Sequence, residues 1–138
     1  MTLLDAYALV AFVIGGPAAA QVRQLLREGD AAITSTNLIE VLDVSQRRRG
    51  MPIVRTMQVL EPLLDGPLTA IVLDLDRAQR AAEIRARHYH RSARPISLAD
   101  AVLIAAATGG DQIATSDPDI LAVAKEEGID TLALPEQG

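Results

Sequence analysis

The chain has 138 residues and no cysteine, 2% of its residues are aromatic, and its formal net charge is −5. This length suits one domain with a core of its own, so we expect a single domain over residues 1–138. The lack of cysteine excludes disulfides, a thiolate nucleophile and a cysteine-based zinc site, and it fits the reducing cytoplasm. The few aromatic side chains argue against an extended surface for stacking nucleic-acid bases.

The apolar segment at residues 1–20 predicts neither a secretory signal nor a membrane span. No basic residue precedes Arg23, and Asp5 stands where a signal peptide needs positive charge. The sequence Gly15-Gly16-Pro17 interrupts the apolar run before it is long enough to cross a bilayer. We therefore expect a cytoplasmic protein that makes no contact with a membrane.

Short strand-like segments alternate along the chain with longer segments of helical period. The predicted strands are residues 2–4, 31–34, 70–73, 113–115 and 131–134. The predicted helices are residues 6–14, 17–28, 38–49, 52–64, 77–91, 98–107 and 118–127. This alternation is typical of a parallel sheet with crossover helices, so the expected fold is a three-layer α/β/α domain with a mostly parallel central sheet. Residues 101–107 have no polar face, which predicts a helix buried against that sheet.

Four acidic residues lie at or just inside the start of predicted helices: Asp5, Glu40, Asp100 and Asp117. In an open parallel sheet, such positions converge on the crevice at the carboxyl ends of the strands. Carboxylates that share a crevice repel one another, and a hard divalent cation compensates for that repulsion. The pattern therefore favours a metal-dependent phosphodiesterase.

Each of these acids also has a purely structural interpretation. Asp5 and Asp117 are good N-cap residues, and Asn37–Glu40 and Ser97–Asp100 both resemble capping boxes. We expect Asp100 to reach back poorly to Ser97, because a capping box prefers the longer glutamate. Asp100 also lies in the most apolar helix, where an unpaired carboxylate is costly, and this favours a bound cation.

Several other signals are weaker. The sequence Asp74-Leu75-Asp76 imitates the nucleophile motif of haloacid-dehalogenase-type phosphatases, but that motif belongs on a first strand, so we interpret Asp76 as a helix cap. His88 and His90 do not share a helix face, which predicts an exposed helix end rather than a metal site. Asp43 and Asp119 lie close to Glu40 and Asp117 in sequence. Either can join the site, although surface placement is the simpler expectation.

Basic residues form two groups, and twelve of the thirteen are arginine. The groups are Arg47, Arg48 and Arg49, and then Arg77, Arg80, Arg85, Arg87, Arg91 and Arg94. Arginine pairs with phosphate in a bidentate way, so these groups are consistent with a phosphate-binding rim. Solvated helix faces are the alternative.

Four segments, in this order and spacing, resemble the PIN-domain nuclease family and most closely the VapC-type toxins of bacterial toxin–antitoxin pairs. The segments are LLDAYAL at residues 3–9, NLIEVL at 37–42, SLADAVLIA at 97–105 and ATSDPD at 114–119. The resemblance covers essentially the whole chain. The family's usual phenylalanine after the last acidic segment is Ile120 here, which affects packing only.

The resemblance implies an endoribonuclease that depends on Mg²⁺ or Mn²⁺, forms a homodimer and is silenced by an antitoxin protein in its acidic cleft. It places the family's acidic quartet on Asp5, Glu40, Asp100 and Asp117. By this resemblance Asp5 and Asp100 ligate the metal, Asp117 ligates a second ion or holds a bound water, and Glu40 orients or deprotonates the attacking water. Thr115 and Ser116 support these groups by hydrogen bonds.

Two alternatives remain open on the sequence. One is a non-catalytic binding module of the same fold, in which the acids only cap helices. The other is a metal-dependent phosphatase that acts on small phosphoesters.

Overall fold

The computed structural model describes residues 1–136, within which five strands alternate with seven helices; Gln137 and Gly138, the end of the predicted domain, lie outside the described residues. The strands are β1 (Thr2–Leu4), β2 (Ala31–Thr34), β3 (Leu68–Ile71), β4 (Gln112–Thr115) and β5 (Asp130–Ala133). The helices are α1 (Ala6–Ile14), α2 (Ala19–Glu28), α3 (Ser35–Arg49), α4 (Ile53–Leu64), α5 (Leu75–His88), α6 (Leu98–Ala106) and α7 (Pro118–Glu126).

All the strands belong to one sheet in the order β3-β2-β1-β4-β5, and every neighbouring pair is parallel. The chain first moves outward from β1 to β3 and then returns to place β4 on the other side of β1. The strand order therefore reverses between β1 and β4, which is where open α/β sheets bind ligands at their carboxyl edge. In the register of these two strands, Leu4 lies opposite Ala114.

The two faces of the sheet carry separate hydrophobic cores. Successive strand residues point to opposite faces, so Leu3 packs with α5, α6 and α7, whereas Leu4 packs with α1 to α4. Ala101 to Ala106 of α6 are all buried, as the apolar sequence of this segment predicts. These two cores confirm the three-layer α/β/α fold and the parallel sheet.

Some helix and strand ends differ from the sequence prediction. Helix α3 begins three residues earlier, because the Asn37 amide donates to Thr34 Oγ1 (3.0 Å) and makes Thr34 the N-cap. Strand β3 occupies residues 68–71 rather than 70–73, since Leu68 and Ile71 are buried. The prediction that Asp76 caps α5 is wrong. The Arg77 amide donates to Asp74 Oδ1 (2.8 Å), so Asp74 is the N-cap and Asp76 lies in the first turn.

No single helix within residues 1–136 is long and apolar enough to cross a membrane. Helices α1 and α2 have the length and apolar composition of a membrane span only when they are counted together, and they are bent by 104° relative to each other.

Candidate metal centre

Asp5 is the N-cap of α1, directly after β1, and it is 6% exposed. The Ala8 amide donates to its Oδ1 (2.8 Å), and the Thr115 hydroxyl donates to its Oδ2. The predicted capping role is confirmed. Each carboxylate oxygen has two lone pairs, so both oxygens keep a lone pair for another donor or for a metal.

Asp117 is the N-cap of α7 at the end of β4, as the sequence predicts. The amides of Asp119 and Ile120 both donate to its Oδ1, at 2.8 and 3.4 Å. The Asp117 amide in turn donates to Thr115 Oγ1 (3.1 Å), and the Thr115 hydroxyl bonds Asp5. The buried Thr115 therefore connects the two acids across the point where the strand order reverses.

Asp100 lies at the third position of α6 and completes a capping box. The Ser97 amide donates to Asp100 Oδ2 (3.0 Å), and the Asp100 amide donates to Ser97 Oγ (3.0 Å). The expectation that Asp100 would reach Ser97 poorly is wrong, because the extended backbone of Ser97 brings its amide close to the first turn. Capping and a place in the site are thus compatible for Asp100.

Glu40 is placed differently from the other acids. It is the sixth residue of α3, well inside the helix, so the predicted capping box from Asn37 to Glu40 is wrong. Thr34 takes the capping role, which leaves the Glu40 side chain for the cleft described next.

One cavity of about 460 Å³ at the carboxyl edge of the sheet brings all four predicted acids together; we call it the acidic cleft. Its polar side chains are Asp5, Tyr7, Asn37, Glu40, Asp100, Ser116, Asp117, Asp119 and Glu136. Asp119 thus joins the cleft, whereas Asp43 lies outside it, exposed and paired with Arg47 (2.9 Å). The sequence predictions did not single out Tyr7 or Glu136, and they named Asn37 only as a helix cap.

Electrostatics of the cleft favour a bound cation. Burial raises the pKa of Asp5 to about 6, and the charges of Asp100 and Asp117 add to this rise. Burial also raises the pKa of Glu40, with Asp100 and Asp5 contributing. The pKa of Asp100 is raised mainly by burial and further by Asp117. These shifts express the free-energy cost of burying the ionised carboxylates, with a smaller part from their mutual repulsion, and a divalent cation would offset both.

The donor chemistry of the acidic cleft fits Mg²⁺ or Mn²⁺. All candidate ligands are hard carboxylate oxygens, the type that these ions prefer. Within residues 1–136, no three His, Asp or Glu side chains are close enough together to ligate one ion by themselves. Mg²⁺ can also bind through one or two carboxylates while it keeps several waters.

The other candidate groups do not belong to the cleft. Asp74 and Asp76 are exposed at the start of α5. His88, predicted to be exposed, has a side chain only 10% exposed and contacts Glu126 (3.0 Å) and Glu127 (2.7 Å). His90 accepts bonds from the following turn.

Several of the arginines are paired within the protein. Their partners are carboxylates: Asp43 for Arg47, Asp74 for Arg77, Glu127 for Arg87 and Glu126 for Arg94. Such pairing competes with phosphate binding, so it supports the solvated-face interpretation for these members of the two groups.

Comparison with known proteins agrees with this fold. Residues 2–131 match the sequence profile of the PIN domain. No curated protein matches the chain.

Solved structures of similar fold include DNA-bound VapBC from Salmonella typhimurium, at 19% identity and TM-score 0.71 over 96% of both chains. FitAcB from Neisseria gonorrhoeae is 20% identical, with TM-score 0.69 over 96% of both chains. VapC20 from Mycobacterium tuberculosis, a Sarcin-Ricin loop cleaving toxin, is 18% identical, with TM-score 0.64 over 98% of this chain and 90% of its own. These likenesses concern the fold, and together with the profile match over residues 2–131 they show that the chain belongs to the PIN domain family.

Proposed function

We propose that the protein is a metal-dependent endoribonuclease of the VapC type, a single domain that hydrolyses RNA phosphodiester bonds in the cytoplasm. The observation that carries this proposal is the convergence of four carboxylates from α1, α3, α6 and α7 on one cleft. The cleft lies at the edge where parallel α/β sheets bind ligands. Its oxygen donors and raised pKa values suit a hydrolase that uses Mg²⁺ or Mn²⁺.

In this proposal Asp5 and Asp100 hold the metal, and Asp117 holds a second ion or a bound water. When bound, the metal would lower the pKa of the attacking water and neutralise negative charge on the phosphate. Thr115 orients Asp5, and the helix N-termini at Asp5 and Asp117 favour the ionised carboxylates. Ser116, which lines the cleft, is proposed to hydrogen-bond groups around the metal.

Glu40 is proposed to orient the attacking water and to accept its proton. Its pKa is raised, which brings this carboxylate closer to the range in which a general base works well at neutral pH. It also approaches the cleft from the α1–α4 layer, whereas Asp100 and Asp117 approach from the other layer. An attacking water can therefore lie between Glu40 and the phosphate.

We further propose an antitoxin protein as partner. The VapBC structure from Salmonella typhimurium and a toxin–antitoxin complex from Klebsiella pneumoniae have similar folds, which supports such a partner. An acidic cleft is best covered by basic side chains, so the antitoxin segment that silences this protein should be basic.

A homodimer is also proposed, through the exposed face of α5. Leu75 is 91% exposed at its start, and Tyr89 is exposed just after its end. Two copies of α5 packed antiparallel would place Leu75 of each copy near Tyr89 of the other and so cover both apolar ends.

A cleavage assay with matched variants tests the nuclease proposal. The purified protein is incubated with a mixed-sequence RNA pool and Mn²⁺, with and without a chelator. We expect cleavage that needs the metal and falls by roughly 100-fold or more in Asp5→Asn and Asp100→Asn. Asp43→Asn is the control, since Asp43 is an exposed acid outside the cleft.

The same assay separates the rival functions. If Asp5→Asn and Asp100→Asn cleave RNA as fast as the parent, the site assignment is wrong. Metal-dependent hydrolysis of p-nitrophenyl phosphate without RNA cleavage would indicate a phosphatase. Lack of both activities would indicate a binding module.

A further inference from the structure

Two buried polar atoms of the acidic cleft have no hydrogen-bond partner within the protein. They are the Tyr7 hydroxyl and Asn37 Oδ1, and Asn37 is 2% exposed. Among the described residues, the Ser45 and Thr56 hydroxyls are also buried without a hydrogen-bond partner, but these residues do not line the cleft. Buried polar atoms in folded proteins almost always have a partner, so this pair calls for a ligand from the cleft.

The pair lies on one wall of the cleft. Tyr7 follows Asp5 by two residues on α1, and Asn37 precedes Glu40 by three residues on α3. Helices α1 and α3 belong to the same layer, whereas Asp100 and Asp117 come from the opposite layer. A nucleotide whose phosphate approaches the carboxylates would therefore lie beside this wall.

The hydrogen-bonding capacity of the pair restricts the ligand. An amide Oδ1 can only accept a hydrogen bond, whereas a tyrosine hydroxyl can donate or accept. A phosphate oxygen has no proton at neutral pH, so it could satisfy Tyr7 but not Asn37. The ribose 2′-hydroxyl both donates and accepts, and it is the group that distinguishes RNA from DNA.

We propose that Asn37 and Tyr7 bind the 2′-hydroxyl of a nucleotide next to the cleaved bond and thereby select RNA over DNA. In this arrangement the 2′-hydroxyl donates to Asn37 Oδ1 and accepts from the Tyr7 hydroxyl. This inference rests on the proposed nuclease function and adds the basis of its sugar specificity. A water held by the carboxylates could also donate a hydrogen bond to Asn37 Oδ1. The experiment below distinguishes this water from the 2′-hydroxyl.

An oligonucleotide experiment tests the assignment. An RNA that the wild-type protein cleaves is resynthesised with a single 2′-deoxy nucleotide on either side of the cleaved bond. We expect the wild type to cleave one of these two oligonucleotides about tenfold more slowly than the RNA, the loss typical of one or two hydrogen bonds. In Tyr7→Phe, cleavage of the RNA should fall toward the 2′-deoxy rate, while the 2′-deoxy rate itself changes little. Asn37→Ala should also lose the preference for the 2′-hydroxyl, and because the Asn37 side chain also hydrogen-bonds Glu40, it should slow cleavage of both oligonucleotides.

Tyr89→Phe is the matched control, because Tyr89 is the other tyrosine and is exposed on another part of the surface. It should keep the full preference for the 2′-hydroxyl. Mn²⁺ binding by Tyr7→Phe and Asn37→Ala, followed by electron paramagnetic resonance, should match the wild type, since neither residue is a proposed ligand. Tyr7→Phe is isosteric apart from the hydroxyl, so it reports on specificity even if Asn37→Ala fails to fold.

Two results would overturn the inference while leaving the nuclease proposal intact. One is equal cleavage of the RNA and both 2′-deoxy oligonucleotides by the wild type. The other is an equal fall of both rates in Tyr7→Phe, as expected if the pair holds a water. Lack of any metal-dependent RNA cleavage by the wild type would instead contradict the nuclease proposal itself, and with it this inference.

Discussion

At the scale of single residues, the raised pKa of Asp5 affects both the stability of the fold and the binding of metal. Its pKa in the folded protein is about 6, above the ordinary value of 3.8, and burial is the main cause. Folding therefore favours the protonated form, and the stability this provides is present at low pH and lost as the pH rises through 6. In metal-free protein at neutral pH, the ionised Asp5 destabilises the fold.

Asp5→Asn should accordingly stabilise the metal-free protein at about pH 8, by up to about 3 kcal/mol. The gain should shrink as the pH falls through about 6 and vanish below the ordinary value of 3.8. Urea unfolding in the presence of a chelator, at about pH 8 and about pH 5, measures the difference. A gain that is the same at both pH values would contradict the assigned role of burial.

Proton competition should also govern metal binding. A ligand must be ionised to bind Mn²⁺, so affinity should decrease as the pH falls below about 6, by about tenfold per unit if one proton is involved. Calorimetric titration with Mn²⁺ across this range checks the slope. Constant affinity between about pH 7 and pH 5 would show that Asp5 is not a ligand.

Thr115 links two of the acids, so its hydroxyl should be important for both. Its bond to Asp5 lowers the pKa of that carboxyl, and its oxygen accepts from the Asp117 amide. In Thr115→Val, the pH midpoint of Mn²⁺ binding should move upward and RNA cleavage should fall by about 10- to 100-fold. An unchanged midpoint would mean that Thr115 serves packing alone.

At the scale of helices and strands, the cap residues show what can be predicted locally. Asp5 directly follows β1 and Asp117 lies two residues after the end of β4, and an N-cap side chain there has little competition. The predicted caps were Asn37 for α3 and Asp76 for α5, whereas the structure uses Thr34 and Asp74. The choice depends on which strand residues the sheet buries, and this tertiary constraint is not visible in local sequence.

Ser97 provides a test at this scale. Ser97→Ala removes half of the capping box of α6, so the free energy of unfolding should decrease by about 1 kcal/mol. The Asp100 carboxylate remains in the cleft, and Mn²⁺ affinity should therefore change by no more than a few fold. A loss of metal binding as large as that of Asp100→Asn would mean that the cap, rather than the carboxylate, maintains the site.

At the scale of the whole molecule, the sheet explains why a site could be predicted at all. Alternating strands and helices imply a parallel sheet, and its carboxyl edge collects residues that are far apart in sequence. The sequence did not identify Tyr7 and Asn37 as binding residues, because that inference depends on polar atoms that are buried without a hydrogen-bond partner in the folded protein. The available signals were a tyrosine two residues after Asp5 in an aromatic-poor chain and an asparagine three residues before Glu40.

The proposed dimer is also tested at this scale. Leu75→Asp should convert a dimer to a monomer in analytical ultracentrifugation without lowering thermal stability, because Leu75 is 91% exposed. Val54→Asp is the control, since Val54 is 69% exposed on α4. A wild-type protein that sediments as a monomer, or a Leu75→Asp variant that remains dimeric, would contradict the assignment of this face.

The central claim is that the acidic cleft binds a divalent metal through Asp5 and Asp100. Its most direct test is Mn²⁺ binding, measured by electron paramagnetic resonance near neutral pH in wild type, Asp5→Asn, Asp100→Asn and Asp43→Asn. Wild type and Asp43→Asn should bind alike, and the two cleft variants should bind at least about tenfold more weakly while remaining folded. Equal binding by all four proteins would contradict the claim.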